Sequence, residues 1–367
     1  MASSSLTPQQ SALPPEQTVA SHEAVNLTAA EVGDLVEDLY GVRGARVTPL
    51  GAESSAVCRV DERDGGSLAV KVFWADDPTG AAARWQHEVV DRLSRQGLPV
   101  ARPKRSRADS LTAEGATRSR SVLVQVSEWL TGAPLEEVPF SKELLRSVGR
   151  TAARLQTALG REQAPTGLVG HDWEITAAAT TIERSMERIR ARRMLSQSAP
   201  PLSAPAERLE RVAERVIDLM QAEVEPRLGA IPRAVVHHDL HDSNLLVDRS
   251  SPHEITGILD FGDMLTSIRI SEPVIAAAYA ARNTDDPVAA VSTVLRGWAE
   301  SYPISAEEDA VVLPLAAARL ATNAAVWTSR LTGARAAYAA ARLHGSLETA
   351  ELLLRAAEER WSSGTSP

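Results

Sequence analysis

The chain has 367 residues, of which 44% are hydrophobic and 24% charged, a balance typical of a globular protein large enough for two packed lobes. Its formal net charge of -9 argues against a nucleic-acid partner, because binding to a phosphate backbone requires a basic face. The single cysteine, Cys58, excludes an internal disulfide, and no secretory signal or apolar run of membrane-spanning length is seen, so we expect a cytoplasmic protein without a membrane partner.

The N-terminal segment is rich in Ser, Pro, Gln and Ala and offers little to bury, so we expect residues 1–27 to form a disordered tail. Thr28 and Glu31 have the spacing of a capping box, and apolar residues then recur at helical spacing. Gly41 is typical of a helix end. The pattern predicts a helix that begins after Thr28 and ends before Gly41.

Three short strands are predicted next, at 47–50, 56–60 and 68–73. The link between the first two contains Ser54 and Ser55, whose hydroxyl and backbone N–H groups suit phosphate oxygens. An ordinary hairpin turn explains this link nearly as well.

Lys71 lies in the apolar strand A-V-K-V-F, where an ammonium group flanked by buried side chains should be paired with an anion. The next helical pattern, 79–96, carries Glu88 beside its apolar stripe, and we predict a Lys71–Glu88 ion pair. Glu53 and Glu114 are less well placed to pair with Lys71. The alternative is a lysine that extends from an edge strand into solvent and a glutamate on a solvated helix face.

A strong strand at 121–126 leads to Glu128, Trp129 and Leu130, after which the chain is mainly helical. Helical patterns occupy 141–159, 171–193, 205–223, 272–281, 287–302, 306–331 and 333–361.

The most informative stretch is 235–264, which reads V-V-H-H-D-L-H-D-S-N-L-L-V, then a turn, then G-I-L-D-F-G-D-M. Short apolar strand segments bring Asp239, Asn244 and Asp260 into one polar region. Phosphoryl transfer needs a carboxylate that accepts the proton of an in-line hydroxyl and oxygen ligands for magnesium. An isolated Asp near a strand end is usually a cap or turn residue, but three such ligands in this order are hard to obtain that way. We interpret His241 as a solvated loop residue.

The H-x-D-x-x-x-x-N pattern, followed by a hydrophobic residue and D-F-G-D, resembles the catalytic and metal loops of the aminoglycoside phosphotransferase and choline kinase-like superfamily. G-I-L-D-F-G-D-M, with L-A-A-A-R-L-A-T at 315–322, is most similar to the hydroxylysine kinase branch. The resemblance implies an α+β, two-lobe protein-kinase-like fold. A small lobe at 28–130 would hold an antiparallel sheet and one main helix, and a large lobe at 131–367 would be mostly helical.

By this resemblance, Asp239 would be the catalytic base, and Asn244 and Asp260 would hold Mg²⁺. His237 would brace the catalytic loop, while His238 stands where these kinases often have glycine. The resemblance also implies a site for ATP or GTP, formed by small-lobe residues that bind phosphates and by a hinge whose backbone contacts the purine. The residues of that site would be Lys71, Glu88, Ser54, Ser55, Glu128 and Leu130.

The acceptor in such enzymes lies between the catalytic loop and the C-terminal helices. We expect a small amine-bearing metabolite with a hydroxyl group, such as a hydroxylysine-like amino acid or an amino alcohol. Arg319 would bind a carboxylate and Asp263 or Glu272 an amine, although a structural ion pair is an alternative for each. Alternative functions are an aminoglycoside or macrolide antibiotic phosphotransferase and, in another class, a catalytically silent nucleotide-binding regulatory module.

Overall fold

The N-terminal lobe is built on one five-stranded antiparallel sheet in the strand order β1-β2-β3-β5-β4. Its strands are β1 (Gly44–Leu50), β2 (Ala56–Glu62), β3 (Ser67–Trp74), β4 (Thr112–Ala116) and β5 (Ser121–Glu128). The structure is a computed structural model that describes residues 25–50, 55–77, 79–118, 120–168, 170–195, 204–330, 343 and 345–362. Every strand that we predicted in this lobe is confirmed. The edge strand β4 was not predicted, because T-A-E-G-A carries no apolar run.

Two helices cover the opposite faces of this sheet, α1 (Ala29–Tyr40) and α2 (Thr79–Arg95). Side chains alternate along β3, so Val70 and Val72 pack in the α1 cluster while Phe73 packs against α2. The predicted capping box of α1 and its end at Gly41 are confirmed. Most of the predicted tail lies outside the described residues, but Val25 and Leu27 pack against the α1 cluster rather than extending freely.

Seven helices are described in the C-terminal lobe: α3 (Lys142–Leu159), α4 (Ala178–Leu195), α5 (Ala204–Leu219), α6 (Ser271–Ala281), α7 (Pro287–Ala299), α8 (Ala306–Ser329) and α9 (Ser346–Ser362). A wide helical turn, Met220–Val224, continues α5. Together with the sheet lobe, these helices confirm the two-lobe α+β fold class. Part of the predicted helix at 333–361 lies outside the described residues.

Helix α8 corrects one expectation about apolar runs. It has 24 residues, and its most apolar 18-residue stretch has a mean hydropathy of 1.4, enough by length and composition to cross a membrane. However, 89% of this apolar stretch is buried inside the protein, where it packs against α4, α5, α6 and α9. We therefore interpret α8 as the core helix of the large lobe.

Two small sheets in the large lobe carry the loops of the 235–264 stretch. Strand β7 (Arg233–Val236) pairs with β10 (Leu265–Ile268), and β8 (Leu245–Val247) lies between β6 (Ala133–Pro134) and β9 (Ile255–Ile258). The loop from β7 to β8 contains Asp239, and the loop from β9 to β10 contains Asp260. Pairing β7 with β10 therefore brings both loops to the side that faces the small lobe.

The helix predicted at 171–193 begins later than expected. Residues 171–174 form a loop, a short 3₁₀ turn follows at Ile175–Ala177, and α4 starts at Ala178. The backbone N–H of Ile175 donates to Nε2 of His238, in the loop of Asp239, at 3.3 Å, and the carbonyl of Trp173 accepts from Arg319 at 2.8 Å. These tertiary bonds hold the loop in a non-helical conformation.

Candidate active site

His237 joins the loop of Asp239 to the segment between β9 and Asp260. Its Nδ1 accepts the backbone N–H of Asp239 at 3.2 Å, so its Nε2 carries the proton that is donated to the carbonyl of Leu259 at 2.9 Å. The ring is fully buried and packs edge-on against Phe261 with centroids 4.5 Å apart. Burial lowers the pKa of His237, which keeps the ring in the neutral form that this geometry requires.

Three donors surround the carboxylate of Asp239. Arg319 Nη2 donates to Oδ1 at 2.9 Å, Asn244 Nδ2 donates to Oδ2 at 2.8 Å, and His241 Nε2 lies 3.4 Å from Oδ2. Burial alone would raise the pKa of Asp239, but the neighbouring His241 and the Arg319 guanidinium outweigh it and lower that pKa. The carboxylate is therefore ionised and held in one orientation at neutral pH.

Asp260 is the next carboxylate in the cleft, and its backbone has a left-handed conformation with φ 53° and ψ 82°. Its Oδ1 accepts the backbone N–H of Gly262 at 3.2 Å and the Nζ of Lys71 at 2.9 Å. The Lys71 ammonium group holds the pKa of Asp260 at about 2. Lys71 from the small lobe thus contacts the large lobe directly across the cleft.

The predicted Lys71–Glu88 pair is not formed. Glu88 is exposed, because α2 buries its apolar stripe of Trp85, Val89 and Leu93 and leaves Glu88 on the outside. The side of α2 near Lys71 instead presents His87, which is buried with its Nε2 3.2 Å from Ser127 Oγ. Burial lowers the pKa of His87 to about 4, so this position brings no charge to the lysine at neutral pH.

Asn244 and Asp260 are oriented so that oxygen atoms stay available to a cation. Asn244 uses its Nδ2 on Asp239, which leaves its Oδ1, and Asp260 uses Oδ1 on Lys71, which leaves Oδ2. The carbonyl of Asn244 accepts the N–H of Leu259 at 2.8 Å and so keeps Asn244 close to Asp260. In the described part of the chain, no three His, Cys, Asp or Glu side chains form a ready-made cage. An open oxygen set of this kind fits magnesium, which is bound by one or two protein groups together with phosphates and water.

Glu272 is not a substrate ligand, contrary to our expectation. It is fully buried at the start of α6, and its Oε2 accepts the backbone N–H of His237 at 2.6 Å. Burial raises the pKa of Glu272 to about 8, so the side chain is a neutral acid beneath the loop of Asp239 at neutral pH. Glu272 has this position because α6 packs under the loop of Asp239, which the sequence motif does not indicate.

Arg319 also differs from the expectation of a free carboxylate-binding residue. Its side chain is only 2% exposed, and its guanidinium is divided between Asp239 and the carbonyl of Trp173. Asp263 is half-buried nearby, and its backbone carbonyl lies 3.1 Å from the Nε2 of His171. Burial raises the pKa of Asp263, and the charges of the neighbouring carboxylates add to this effect.

His238 occupies the position where the resembled kinases often have glycine, and its φ of 66° explains why glycine suits that position. The side chain is fully buried, and its Nε2 accepts the backbone N–H of Ile175 at 3.3 Å. Its ring also packs edge-on against His171, with centroids 5.5 Å apart. Sequence reasoning missed this contact and that of His241 with Asp239. The feature of the sequence that could have indicated both contacts is the position of His238 and His241 close to Asp239 in the chain.

The nucleotide side of the cleft is described in part. Ser54 lies outside the described residues, and Ser55 is buried before β2. The backbone N–H of Glu128 donates to the carbonyl of Arg102 at 2.9 Å and is therefore already paired. Leu130 is half-buried two residues further along the hinge.

Comparison with known proteins shows the family to which the chain belongs. The sequence profile of the phosphotransferase enzyme family, APH, matches residues 46–307. Hydroxylysine kinase of Danio rerio is 27% identical over 294 residues, which cover 78% of this chain and 79% of that protein. Hydroxylysine kinase of Mus musculus is 27% identical over 335 residues, which cover 84% and 83% of the two chains.

Solved structures with low sequence identity show the same fold. A microcompartment-associated aminopropanol kinase superposes with a TM-score of 0.64 at 17% identity, over 92% of this chain and 99% of its own. The amicoumacin kinase hAmiN, in complex with AMP-PNP, Ca²⁺ and Ami, superposes with a TM-score of 0.61 at 16% identity, over 88% and 92%. The expected protein-kinase-like fold is thereby confirmed. The chain belongs to the APH phosphotransferase enzyme family, and it is a phosphotransferase that acts on hydroxyl groups.

Proposed function

We propose that this protein transfers the γ-phosphate of ATP or GTP to a hydroxyl of a small amine-bearing metabolite, either a hydroxylysine-like amino acid or an amino alcohol. The observation that carries the proposal is the carboxylate of Asp239, 17% exposed and held by three donors beside Asp260 and Lys71. Similarity to hydroxylysine kinases along most of the chain supports the acceptor class.

In this proposal, Asp239 orients the acceptor hydroxyl and takes up its proton as the oxygen bonds to the γ-phosphorus. The bond from that phosphorus to the β–γ bridging oxygen breaks, and the nucleoside diphosphate leaves with the bond's electron pair. A carboxylate fixed by Arg319 and Asn244 is suited to this task, because positioning is the main contribution of protein to phosphoryl transfer. Asn244 and Asp260 would hold Mg²⁺, which when bound neutralises charge on the phosphates. Lys71 moves from Asp260 to the non-transferring phosphate oxygens when the nucleotide enters.

The remaining site residues are divided between the two lobes. We propose a small lobe at 28–130, against which Val25 and Leu27 also pack, and a large lobe at 131–367. Ser54 and Ser55 would cover the phosphates, and the backbone at Glu128 and Leu130 would pair with the purine. His237 supports the loop of Asp239 from behind, as its two hydrogen bonds indicate. Asp263 is the carboxylate that we assign to an amine of the acceptor.

The test is Asp239→Ala in a phosphorylation screen over hydroxylated amino acids, amino alcohols and aminoglycosides. We expect the wild type to phosphorylate an acceptor of the first two classes and Asp239→Ala to lose activity by a factor on the order of 10³ or more, with nucleotide affinity kept. Asp64→Asn, in an exposed hairpin, is the matched control. Near-normal turnover by Asp239→Ala would refute the role of Asp239.

The same screen separates the alternative functions. A strong preference for aminoglycosides or macrolides would indicate an antibiotic phosphotransferase. Nucleotide binding without transfer to any acceptor would support the silent regulatory module.

A further inference from the structure

Helix α2 packs on the large lobe, although it follows the strands of the small lobe in the chain. Its buried residues Trp85, Val89 and Leu93 belong to the main core cluster, which also contains apolar residues of α3, α6 and α8. Toward the sheet, Ala83 of α2 joins a much smaller apolar cluster. The position of α2 is therefore set mainly by the large lobe, because most of its buried apolar surface lies there.

Hydrogen bonds also tie the C-terminal part of α2 and the link after it to the large lobe. Arg92 donates to both carboxylate oxygens of Glu162, at 3.0 and 2.7 Å. The carbonyl of Pro99 accepts the N–H of Ile258 at 2.7 Å, and Ile258 ends strand β9 just before Asp260. The chain segment that carries Asp260 is thus joined to the link that follows α2.

Gln86, in the middle of α2, contacts the turn Phe261–Asp263 that follows Asp260. Its Nε2 donates to the carbonyl of Gly262 at 2.7 Å, and the N–H of Gly262 donates to Oδ1 of Asp260 at 3.2 Å. The left-handed backbone of Asp260 is unfavourable for a residue with a side chain and persists only where the surroundings hold it. Gln86 is one of the groups that hold it.

Gln86 also differs from Lys71 in what nucleotide entry requires of it. In the proposed function, Lys71 leaves Asp260 for the phosphate oxygens, so its ion pair with that carboxylate is lost. The hydrogen bond of Gln86 is made to the backbone of the turn and does not compete with the nucleotide. Glu88, which lies two residues further along α2, is exposed. Gln86 therefore remains as a link between α2 and the turn when Lys71 has moved.

An uncharged donor suits this position. Burial raises the pKa of Asp263, and the charges of Asp239 and Asp260 add to this effect, so carboxylates already repel one another around the turn. A carboxylate at position 86 would add to this repulsion and could not donate to the carbonyl of Gly262. An amide donates the hydrogen bond and adds no charge.

We propose that Gln86 is a positioning residue that fixes the turn after Asp260 and so presents the Asp260 carboxylate to the Mg²⁺ that accompanies the nucleotide. With an uncharged hydrogen bond it supplies the contact between α2 and the site that the sequence suggested for Glu88. This inference rests on the proposed function in one respect, the assignment of Asp260 as a magnesium ligand.

The experiment measures how far Mg²⁺ increases nucleotide affinity. Calorimetric titrations use AMP-PNP or GMP-PNP, whichever binds the wild type more tightly, once in Mg²⁺ and once in EDTA. Gln86→Met keeps the length of the side chain and removes the donor. We expect it to weaken binding in Mg²⁺ by about 3- to 10-fold, the loss of a neutral hydrogen bond, and to leave binding in EDTA unchanged.

Two further variants separate positioning from a general effect on the helix. Gln86→His, titrated at pH 8, keeps a neutral ring N–H at a similar distance from the backbone and should restore most of the affinity in Mg²⁺. Arg84→Met is the matched control, because it removes a surface ion pair of α2 with Glu114 and should leave both affinities unchanged.

Three outcomes would overturn the inference while the proposed function stands. One is wild-type affinity of Gln86→Met in Mg²⁺. Another is an equal loss of affinity in Mg²⁺ and in EDTA, which would show a general structural role. The third is a Gln86→His variant that binds no better than Gln86→Met, which would mean that the N–H donor is not what acts. A wild type whose nucleotide affinity does not respond to Mg²⁺ would overturn both the proposed metal site and the inference.

Discussion

Arg319 Nη2 donates to Asp239 Oδ1 at 2.9 Å, although 80 positions separate the two residues in the chain. The same guanidinium donates through Nη1 to the carbonyl of Trp173 at 2.8 Å. One buried arginine thus joins the proposed catalytic base, the core helix α8 and the loop that precedes α4. The orientation of the base depends on the packing of the large lobe as much as on its own loop.

Replacement of Arg319 by Met tests this dependence. We expect kcat to fall by about 10- to 100-fold while the KM for nucleotide is unchanged, because the charged hydrogen bond that orients Asp239 is lost. The free energy of unfolding should fall by about 3 kcal/mol, since removing one member of a buried ion pair leaves the other uncompensated. Steady-state kinetics and urea unfolding measure the two effects. Wild-type kcat in this variant would contradict a positioning role.

We expect the stability of the protein to depend on pH because of Glu272. Burial raises its pKa to about 8 in the folded protein, against an ordinary value of 4.5. Between these values the folded protein keeps a proton that the unfolded chain has released, so the contribution of Glu272 to the free energy of unfolding falls as pH rises from about 4.5 to 8 and is level outside that window.

Glu272→Gln retains an acceptor for the N–H of His237 but has no proton to release. The variant should therefore gain stability relative to wild type between about pH 5 and pH 8, as measured by urea unfolding at several pH values. Parallel pH profiles of the two proteins would show that Glu272 is ionised in the folded state.

Lys71 and Glu88 should behave differently on substitution. Lys71→Met should raise the KM for nucleotide by about 10- to 100-fold, because it removes the only charge that the small lobe brings to Asp260 among the described residues. Glu88→Gln should change the same KM by less than about twofold, since Glu88 is exposed and exposed charges contribute little. A large effect of Glu88→Gln would mean that α2 turns when nucleotide binds and forms the pair that the sequence indicated.

The crossing of α3 and α7 depends on two glycines. A Cβ atom at Gly297 would collide with the carbonyl oxygen of Arg146, and one at Gly149 with that of Val294. Gly297→Ala should therefore lower the free energy of unfolding by about 3 kcal/mol, because rigid backbone has to move. Gly229→Ala is the control, since nothing lies within 4 Å of the position of its Cβ. Equal stability of the two variants in urea would refute this account of the crossing.

Local sequence patterns predicted most elements of the small lobe. The capping box of Thr28 and Glu31 and the left-handed cap at Gly41 depend on residues within one helix, so they are visible without tertiary information. Strand β4 was missed because its pairing with β5, such as Ala113 with Val124, depends on a neighbour and not on its own apolar content.

The order and spacing of Asp239, Asn244 and Asp260 were determined by the sequence itself, because short strands and tight loops leave few ways to arrange three polar side chains. The partners of Lys71, Glu272 and Arg319 were decided only by the tertiary structure. Each partner depends on the rotation of a helix or on the packing of elements distant in the chain, and a local pattern contains no information about either. For this reason, the sequence predicted which side chains gather at the site but not their ion pairs or the shifts of their pKa values.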